Sequence, residues 1–304
     1  MISKIISILV CITIFITSFF GIDFNKFYDF FLQEELNISY GEDKQQTFDV
    51  YIPKTCDKET SLYFYIHGGA WIAGDKSEGT VLAKTNALEY NIIGVTMDYR
   101  LLVDGSHKTT CQTILDDINN AMIKTKAFLE EKGYTIKSAV VSGQSAGGHL
   151  ALLYSYTCNT KCPFKIGLVE SVCGISDLQD PLFFGGIEAI SKDEMYMLDG
   201  LLIGEDVTDA NYSSKDIQDK IWNVSPCKYV SNDVPPTIFN SGSLDQLVPN
   251  TNGQRLNDKL NETTVDHFYI NFDHSKHCRR DKKDFFKATK YDIEYDKMME
   301  KYVL

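Results

Sequence analysis

The stretch KSAVVSGQSAGG, residues 137–148, passes from a short strand pattern into a glycine-rich turn, and a helix-like pattern follows to Tyr156. A sharp strand-to-helix turn of this kind exposes the serine hydroxyl above the edge of a sheet, because small residues on either side let the strained backbone pass. The new helix also directs its N-terminus at any negative charge that develops there. The position of the motif between a strand and a helix predicts that Ser145 is a nucleophile. A plain glycine-rich turn is the alternative.

Strand and helix patterns alternate along the rest of the chain. Apolar strand patterns occupy residues 47–52, 62–66, 92–97, 137–142, 166–172, 237–240 and 267–272. Helical patterns occupy residues 80–89, 111–132, 146–156, 251–260 and 281–304. This alternation predicts an α/β fold with a mostly parallel central sheet and helices on both faces. We therefore interpret residues 22–304 as a single domain.

One long interval, from Asp177 to Ser225, interrupts the alternation between two predicted strands. An interval of this length is unusual for a simple connection. We interpret residues 178–225 as a cap or lid insertion packed over the carboxyl edge of the sheet. Aromatic and Met residues within it suggest either an apolar substrate pocket or simple packing of the lid; they are Phe183, Phe184, Met195, Tyr196 and Met197.

Charge and the N-terminal segment limit the partners and the location. The 304 residues carry a formal net charge of −12, which disfavours binding to nucleic acid or to anionic membranes. Lys4 precedes an uncharged, mostly apolar run, Ile5–Phe20, that is typical of a signal peptide and short for a membrane span. We predict a signal peptide at residues 1–21 and a secreted or secretory-pathway luminal protein. An uncleaved signal anchor is the alternative, and it is the only membrane contact expected.

Cysteines and glycosylation sequons accompany this predicted leader. Seven of the eight cysteines follow it, and in an oxidising compartment most of them are expected to form disulfides. Cys158 and Cys162 flank a short polar turn and are predicted as the easiest local pair, with a zinc site as the weaker alternative. Sequons that permit N-glycosylation begin at Asn37, Asn211, Asn223 and Asn261.

A second glycine-rich loop follows the predicted strand at residues 62–66. It has the sequence HGGAW, residues 67–71. An enzyme that transfers acyl groups needs amide donors aimed at the oxyanion of its tetrahedral intermediate, and glycines let the backbone turn its N–H groups inward. Gly68 and Gly69 are the candidate donors, together with Ala146 after the nucleophile. We interpret His67 as a structural residue that holds the loop.

An acidic residue and two histidines follow in the order that such a nucleophile requires. Asp245 lies just past the strand at residues 237–240, where it can orient a histidine and stabilise its imidazolium. The general base comes last in the chain of enzymes with this serine turn. His274 and His277 both lie in the loop after the last predicted strand, and the longer reach favours His277. His274 remains the alternative.

Three sequence runs together carry a resemblance to a known group of enzymes. LYFYIHGGAWIAGDK at residues 62–76, GQSAGGHLA at residues 143–151 and GSLDQLVP at residues 242–249 resemble α/β-hydrolases of the esterase and lipase class. Within that class the DYR run at residues 98–100 and GISDL at residues 174–178 are similar to hormone-sensitive-lipase-like carboxylesterases, kynurenine formamidases and prenylcysteine methylesterases. The resemblance covers roughly residues 45–300.

The resemblance implies a catalytic apparatus as well as a fold. It implies Ser145, Asp245 and His277 as a catalytic triad, with an oxyanion hole formed by the backbone of Gly68, Gly69 and Ala146. It also implies hydrolysis of a small-molecule carboxylic ester through an acyl-enzyme, chemistry that requires no metal or organic cofactor. An arylformamide or other amide is the alternative substrate, and a non-catalytic binding module of the same fold is the alternative function.

Overall fold

A computed structural model describes residue 28 and residues 30–102, 108–185 and 191–304 of the chain. The predicted leader therefore lies outside the described residues. The strands are β1 Leu32–Ser39, β2 Thr47–Pro53, β3 Glu59–Ile66, β4 Ile93–Met97, β5 Thr135–Gln144, β6 Ile166–Val172, β7 Thr237–Gly242 and β8 His267–Phe272. The α-helices are α1 Thr80–Tyr90, α2 Cys111–Glu131, α3 Ala146–Thr157, α4 Pro181–Gly185, α5 Lys192–Ile203, α6 Lys215–Asn223, α7 Asn250–Asn261 and α8 Phe285–Tyr302.

The eight strands form one sheet in the order β1-β2-β4-β3-β5-β6-β7-β8. The six strands from β4 to β8 in this order run parallel, while β2 is antiparallel to both β1 and β4. All six parallel strands therefore present their carboxyl ends at one edge of the sheet. The predicted α/β-hydrolase fold with a mostly parallel sheet is confirmed.

Side chains of β3 show how the sheet is covered on both faces. Leu62, Phe64 and Ile66 are buried in a core that includes α2 and α3, whereas Tyr63 and Tyr65 are buried in a second core that includes α1 and α8. Successive side chains of a strand point to opposite faces, so a strand with apolar residues at nearly every position requires a helical layer on each side. The continuous apolar run in the sequence has this physical origin.

Strand β1 is absent from the sequence-based prediction. Only its first residue, Leu32, is buried, and most of its other side chains are exposed, so the sequence carries no apolar alternation. The strand forms through backbone pairing with β2, which joins Leu32 to Pro53 and Ser39 to Thr47 across an irregularity. At that irregularity Asn37 adopts a φ of 57°, and its N–H donates to Asp49 Oδ1 at 2.7 Å.

Three helices, α4 to α6, occupy the interval between β6 and β7 that we interpreted as a cap. Helix α5 begins with a capping box, in which the Ser191 hydroxyl accepts from the Glu194 N–H and the Glu194 carboxylate accepts from the Ser191 N–H. Met195 and Leu202 on the same helix are buried in the core. Among the described helices, none combines the length and the apolar character needed to cross a membrane.

The expected disulfide between Cys158 and Cys162 is not formed. All seven cysteines among the described residues carry free thiols. Cys162 Sγ lies 3.4 Å from the sulfur of Met122, while Cys158 Sγ lies 3.5 Å from the hydroxyl of Thr157. The structure therefore gives no support to this pair, because each sulfur has a different neighbour.

Candidate active site

Ser145 stands at the turn between β5 and α3, at the carboxyl edge of the sheet. Its backbone has φ 54° and ψ −123°, a conformation that L-residues rarely adopt. Neighbouring glycines leave no room for side chains: a Cβ on Gly143 would lie 2.3 Å from the Gly147 carbonyl oxygen, and one on Gly147 would lie 2.1 Å from the Ile66 carbonyl oxygen. The glycines on either side of Ser145 are therefore a steric requirement of the turn.

A chain of hydrogen bonds joins Ser145, His277 and Asp245. His277 Nε2 lies 2.8 Å from Ser145 Oγ, and His277 Nδ1 lies 2.7 Å from Asp245 Oδ2. The Asp245 side chain is only 1% exposed, and its other oxygen accepts from the N–H groups of Leu247 at 2.8 Å and Val248 at 2.9 Å. These two backbone bonds fix the carboxylate, which in turn fixes the orientation of the imidazole ring.

The environment of His277 changes its proton affinity in two opposing ways. Burial disfavours the charged ring, but the hydrogen bond to Asp245 and the negative charge of that carboxylate outweigh the burial and raise the pKa of His277 above its usual value. His277 thus directs a proton-acceptor nitrogen at Ser145, and its raised pKa favours acceptance of a proton.

His274, the alternative base, has different partners. Its N–H donates to Asp284 Oδ2 at 2.9 Å, and its ring Nδ1 lies 3.2 Å from Asp284 Oδ1. The Ser275 hydroxyl donates to Asp284 Oδ2 at 2.6 Å. Asp284 thereby anchors residues 273–281, which we call the His277 loop. Nothing in the sequence distinguishes Asp284 from the other acidic residues near the last helix, and its role was not predicted.

The HGGAW loop lies beside the serine. A Cβ on Gly68 would lie 3.0 Å from the Gln144 carbonyl oxygen, and Gly69 has a φ of 96° that favours glycine. The Tyr99 hydroxyl donates to the carbonyl oxygens of His67 and Gly68, each at 3.2 Å. The His67 ring stacks on Tyr99 with centroids 4.2 Å apart and does not contact Ser145, His277 or Asp245 through any hydrogen bond recorded among the described residues.

Trp71 and His149 connect this loop to α3. Trp71 Nε1–H donates to His149 Nδ1 at 3.1 Å, and His149 Nε2 lies 2.7 Å from the Val224 carbonyl oxygen after α6. These partners require a neutral ring with its proton on Nε2, and burial lowers the pKa of His149 to about 4. His149 is thus a packed polar residue, and it joins the HGGAW loop, α3 and the residue that follows α6.

The cavity at the serine holds about 440 Å³ and is lined mainly by apolar groups. Gly68, Gly69, Ser145 and His277 form one part of its wall. The apolar part of the wall comes from several elements: Trp71 and Ile72 from the HGGAW region, Ile175 after β6, Phe183 of α4, Leu198 of α5, and Leu247 and Val248 near Asp245. Ala146 is fully buried directly after Ser145, at the first position of α3. Of the cap residues considered from sequence, Phe183 lines this cavity, while Leu198 was not anticipated.

The sequence of the domain matches the BD-FAE family model over residues 48–260, which is more than half of the chain. The chain belongs to the BD-FAE family. The match runs from the second residue of β2 through β7, includes the HGGAW loop, Ser145 and Asp245, and ends before His277. The resemblance to α/β-hydrolases of the esterase class, predicted from the motifs, is confirmed.

Known proteins similar to this BD-FAE chain include hydrolases of several organisms. LipM of Mycobacterium tuberculosis, a probable carboxylic ester hydrolase, is 27% identical over 238 residues, which cover 75% of this chain and 52% of LipM. Kynurenine formamidase of Salmo salar is 25% identical over 252 residues, covering 78% of this chain and 76% of that enzyme. The chain thus spans about half the length of LipM.

A solved structure shows that the BD-FAE chain shares its fold with a known esterase. Esterase B of Lactobacillus rhamnosis superposes with a TM-score of 0.68 over 89% of this chain and 88% of that chain. The sequence identity is 19%. At this identity the similarity establishes the fold.

Proposed function

We propose that the protein is a serine hydrolase that cleaves small-molecule carboxylic esters through a Ser145-His277-Asp245 triad and an acyl-enzyme intermediate. The hydrogen-bond chain from Ser145 Oγ through His277 to Asp245 carries this proposal. The relatedness to LipM, named a probable carboxylic ester hydrolase, supports the ester as the bond that is cleaved.

In the first step, His277 Nε2 takes the proton of the Ser145 hydroxyl as Oγ attacks the ester carbonyl. Asp245 keeps the proton of the neutral ring on Nδ1 and stabilises the imidazolium that forms. The backbone N–H groups of Gly68, Gly69 and Ala146 are proposed to hold the oxyanion, and each such donor is worth about 3 kcal/mol in the transition state. The imidazolium then donates its proton to the leaving alcohol.

In the second step, water attacks the acyl-enzyme. His277 removes a proton from the water, the same amides stabilise the second tetrahedral intermediate, and the imidazolium returns its proton to Ser145 Oγ as the acid leaves. Among the described residues that line the cavity, none other than His277 offers a charged side chain to a charged acyl chain. We therefore propose an uncharged, apolar acyl group as the preferred substrate portion.

The direct test combines labelling with turnover. A fluorophosphonate probe, which reacts with activated serines, should label the wild-type protein on the peptide that contains Ser145. The same protein should hydrolyse p-nitrophenyl butyrate faster than a p-nitrophenyl ester with a carboxylate-terminated acyl chain. Absence of both labelling and turnover would favour a non-catalytic binding module and overturn the proposal.

The pH dependence of turnover should reveal the raised pKa of His277. The ring must be neutral to accept the Ser145 proton, so kcat/KM should rise with pH through an apparent pKa above the ordinary histidine value of about 6.5. Asp245→Asn removes the two largest interactions that raise this pKa, the hydrogen bond to the carboxylate and its negative charge, and leaves the burial that lowers it. The acid limb of its residual activity should therefore move to lower pH. An upward shift in the variant would contradict this assignment.

An amide is the second candidate for the cleaved bond. The similarity to kynurenine formamidase, which extends over 76% of that enzyme, favours an arylformamide over other amides. The same triad serves both reactions, so the geometry of the serine does not distinguish them. Comparing kcat/KM for formanilide and phenyl acetate distinguishes them, and we expect the ester to be the better substrate.

We further propose that the protein enters the secretory pathway. The support comes from the leader pattern at residues 1–21, from the absence of charges between Ile5 and Phe20, and from the sequons. N-terminal sequencing of the protein expressed in a eukaryotic host should find a start near residue 22. An intact Met1 on a membrane-bound protein would instead indicate a signal anchor.

A further inference from the structure

Two cysteines lie together beside the proposed base. Cys278 follows His277 directly, and Cys173 is the first residue after β6. Their side chains hydrogen-bond with each other. Cys278 Sγ also lies 3.8 Å from the carbonyl oxygen of Val172, the residue before Cys173, although 106 positions of the chain separate Cys278 from Val172. The fold thus brings two thiols from distant segments into contact next to His277.

The surroundings of the two thiols differ. Cys173 is 4% exposed, and its Sγ lies 3.5 Å from Asn240 Oδ1. Cys278 is half-buried and lines the cavity that contains Ser145. Small molecules that enter the cavity can therefore reach Cys278 first. Both residues have a positive φ, 48° at Cys173 and 47° at Cys278, which L-residues rarely adopt.

We propose that Cys173 and Cys278 form a disulfide under oxidising conditions, and that this bond covalently joins the His277 loop to the residue that follows β6. It differs from the pair that sequence spacing suggested. Cys158 and Cys162 have other sulfur or hydroxyl neighbours, whereas Cys173 and Cys278 contact each other. Cross-linking positions so distant in sequence restricts the unfolded chain strongly, which is the main way in which disulfides stabilise proteins.

Glutathione disulfide is the oxidant we specify for this reaction. The Cys278 sulfur attacks one sulfur of glutathione disulfide, which forms a mixed disulfide and releases one glutathione. The Cys173 sulfur then attacks the Cys278 sulfur, which forms the intramolecular bond and releases the second glutathione. The two protons of the protein thiols leave on the two glutathione thiols, and the two electrons reduce glutathione disulfide.

The positions of the two thiols suit these roles. Cys278 lines the cavity and is therefore the thiol that glutathione disulfide meets first, whereas Cys173 is buried beside it. Because the two side chains are in contact, Cys173 can attack the mixed disulfide on Cys278 in the second step.

The disulfide would hold His277 in an arrangement that is already present in the reduced protein. His277 makes both of its hydrogen bonds, at 2.7 and 2.8 Å, while the two thiols are free. We therefore expect the reduced protein to be active and the oxidised protein to keep its activity longer on heating. Only this effect on activity rests on the proposed function; formation of the bond and the gain in thermal stability do not.

The test compares the full chain after incubation with glutathione disulfide and after incubation with dithiothreitol. Peptide mapping of the oxidised protein should find a cross-linked pair of peptides that contain Cys173 and Cys278. The melting temperature of the oxidised protein should exceed that of the reduced protein by about 5–10 °C. Both measurements use no substrate, so they remain informative even if the ester assay fails.

Two variants test whether the effects of oxidation depend on the pair Cys173 and Cys278. Cys173→Ser should lose both the cross-link and the difference in melting temperature between oxidised and reduced protein. Cys227→Ser, which changes an equally buried thiol elsewhere in the core, should keep both. The proposal is overturned if Cys173 and Cys278 of the wild type remain fully alkylatable after oxidation, or if Cys173→Ser shows the same melting difference as the wild type. The wild-type map and melting curves decide the question even if a variant does not fold.

Discussion

Ser145→Ala is expected to reduce kcat for p-nitrophenyl butyrate by about 10⁶-fold, to the level supplied by binding and oxyanion contacts alone. The Ser145 oxygen is the only protein atom in the proposal that forms a bond to the acyl group, and neither His277 nor Asp245 can replace it. The substitution should leave the fold intact, because the Ser145 side chain makes no capping bond to α3 and alanine differs from serine only by the hydroxyl. Turnover and circular dichroism of the same preparation measure both effects.

A serine within α3, the helix that follows Ser145, provides the matched control for this substitution. Ser155 is fully buried on the same helix, and its hydroxyl makes no hydrogen bond with any residue that the structure describes. Ser155→Ala should therefore keep wild-type turnover and fluorophosphonate labelling. Comparable loss of activity in the two variants would mean that the assay reports the stability of α3, and wild-type activity in Ser145→Ala would overturn the proposed nucleophile.

His277→Ala is expected to cost nearly as much as the loss of the serine, because the two residues act as one unit in removing the hydroxyl proton. Without the ring, Ser145 Oγ has no acceptor for its proton, and Asp245 is left with a buried carboxylate whose partner is missing. We expect a loss in kcat of about 10⁵- to 10⁶-fold. Steady-state turnover at a pH above the apparent pKa of the wild type measures it.

His274→Ala tests which of the two histidines in the His277 loop, His274 or His277, is the base. The His274 side chain is 48% exposed and directed at Asp284, so its removal should change kcat less than about tenfold. The N–H of residue 274, which also binds Asp284, is retained in the alanine variant. A larger loss in His274→Ala than in His277→Ala would reverse the assignment of the base.

The sequence contained enough information to predict the sheet, the turn at Ser145 and the segments that carry Asp245 and His277. The buried strands were predictable because both faces of the sheet are covered, which requires apolar residues at nearly every position, as in β3. The glycine pattern around Ser145 was equally readable, since the backbone approaches at Gly143 and Gly147 exclude any side chain. In both cases a local pattern reflects a local physical requirement.

Features that depend on contacts between distant segments were not predictable from one sequence. β1 forms by backbone pairing, which imposes little on its side chains, and Asp284 gains its role only because α8 begins beside the His277 loop. The contact between Cys173 and Cys278 likewise depends on how β6 and the His277 loop approach each other. The choice between His274 and His277 required the same long-range geometry.

The order of the strands also affects how the site is assembled during folding. Among the described strands, β8 lies at the edge of the sheet and pairs with β7 alone, yet it leads directly into His277, whose partner Ser145 is 132 residues away in the chain. Contacts of such high sequence separation form late and raise the contact order. Recovery of catalytic activity during refolding therefore reports the docking of the last strand, well after most of the secondary structure has formed.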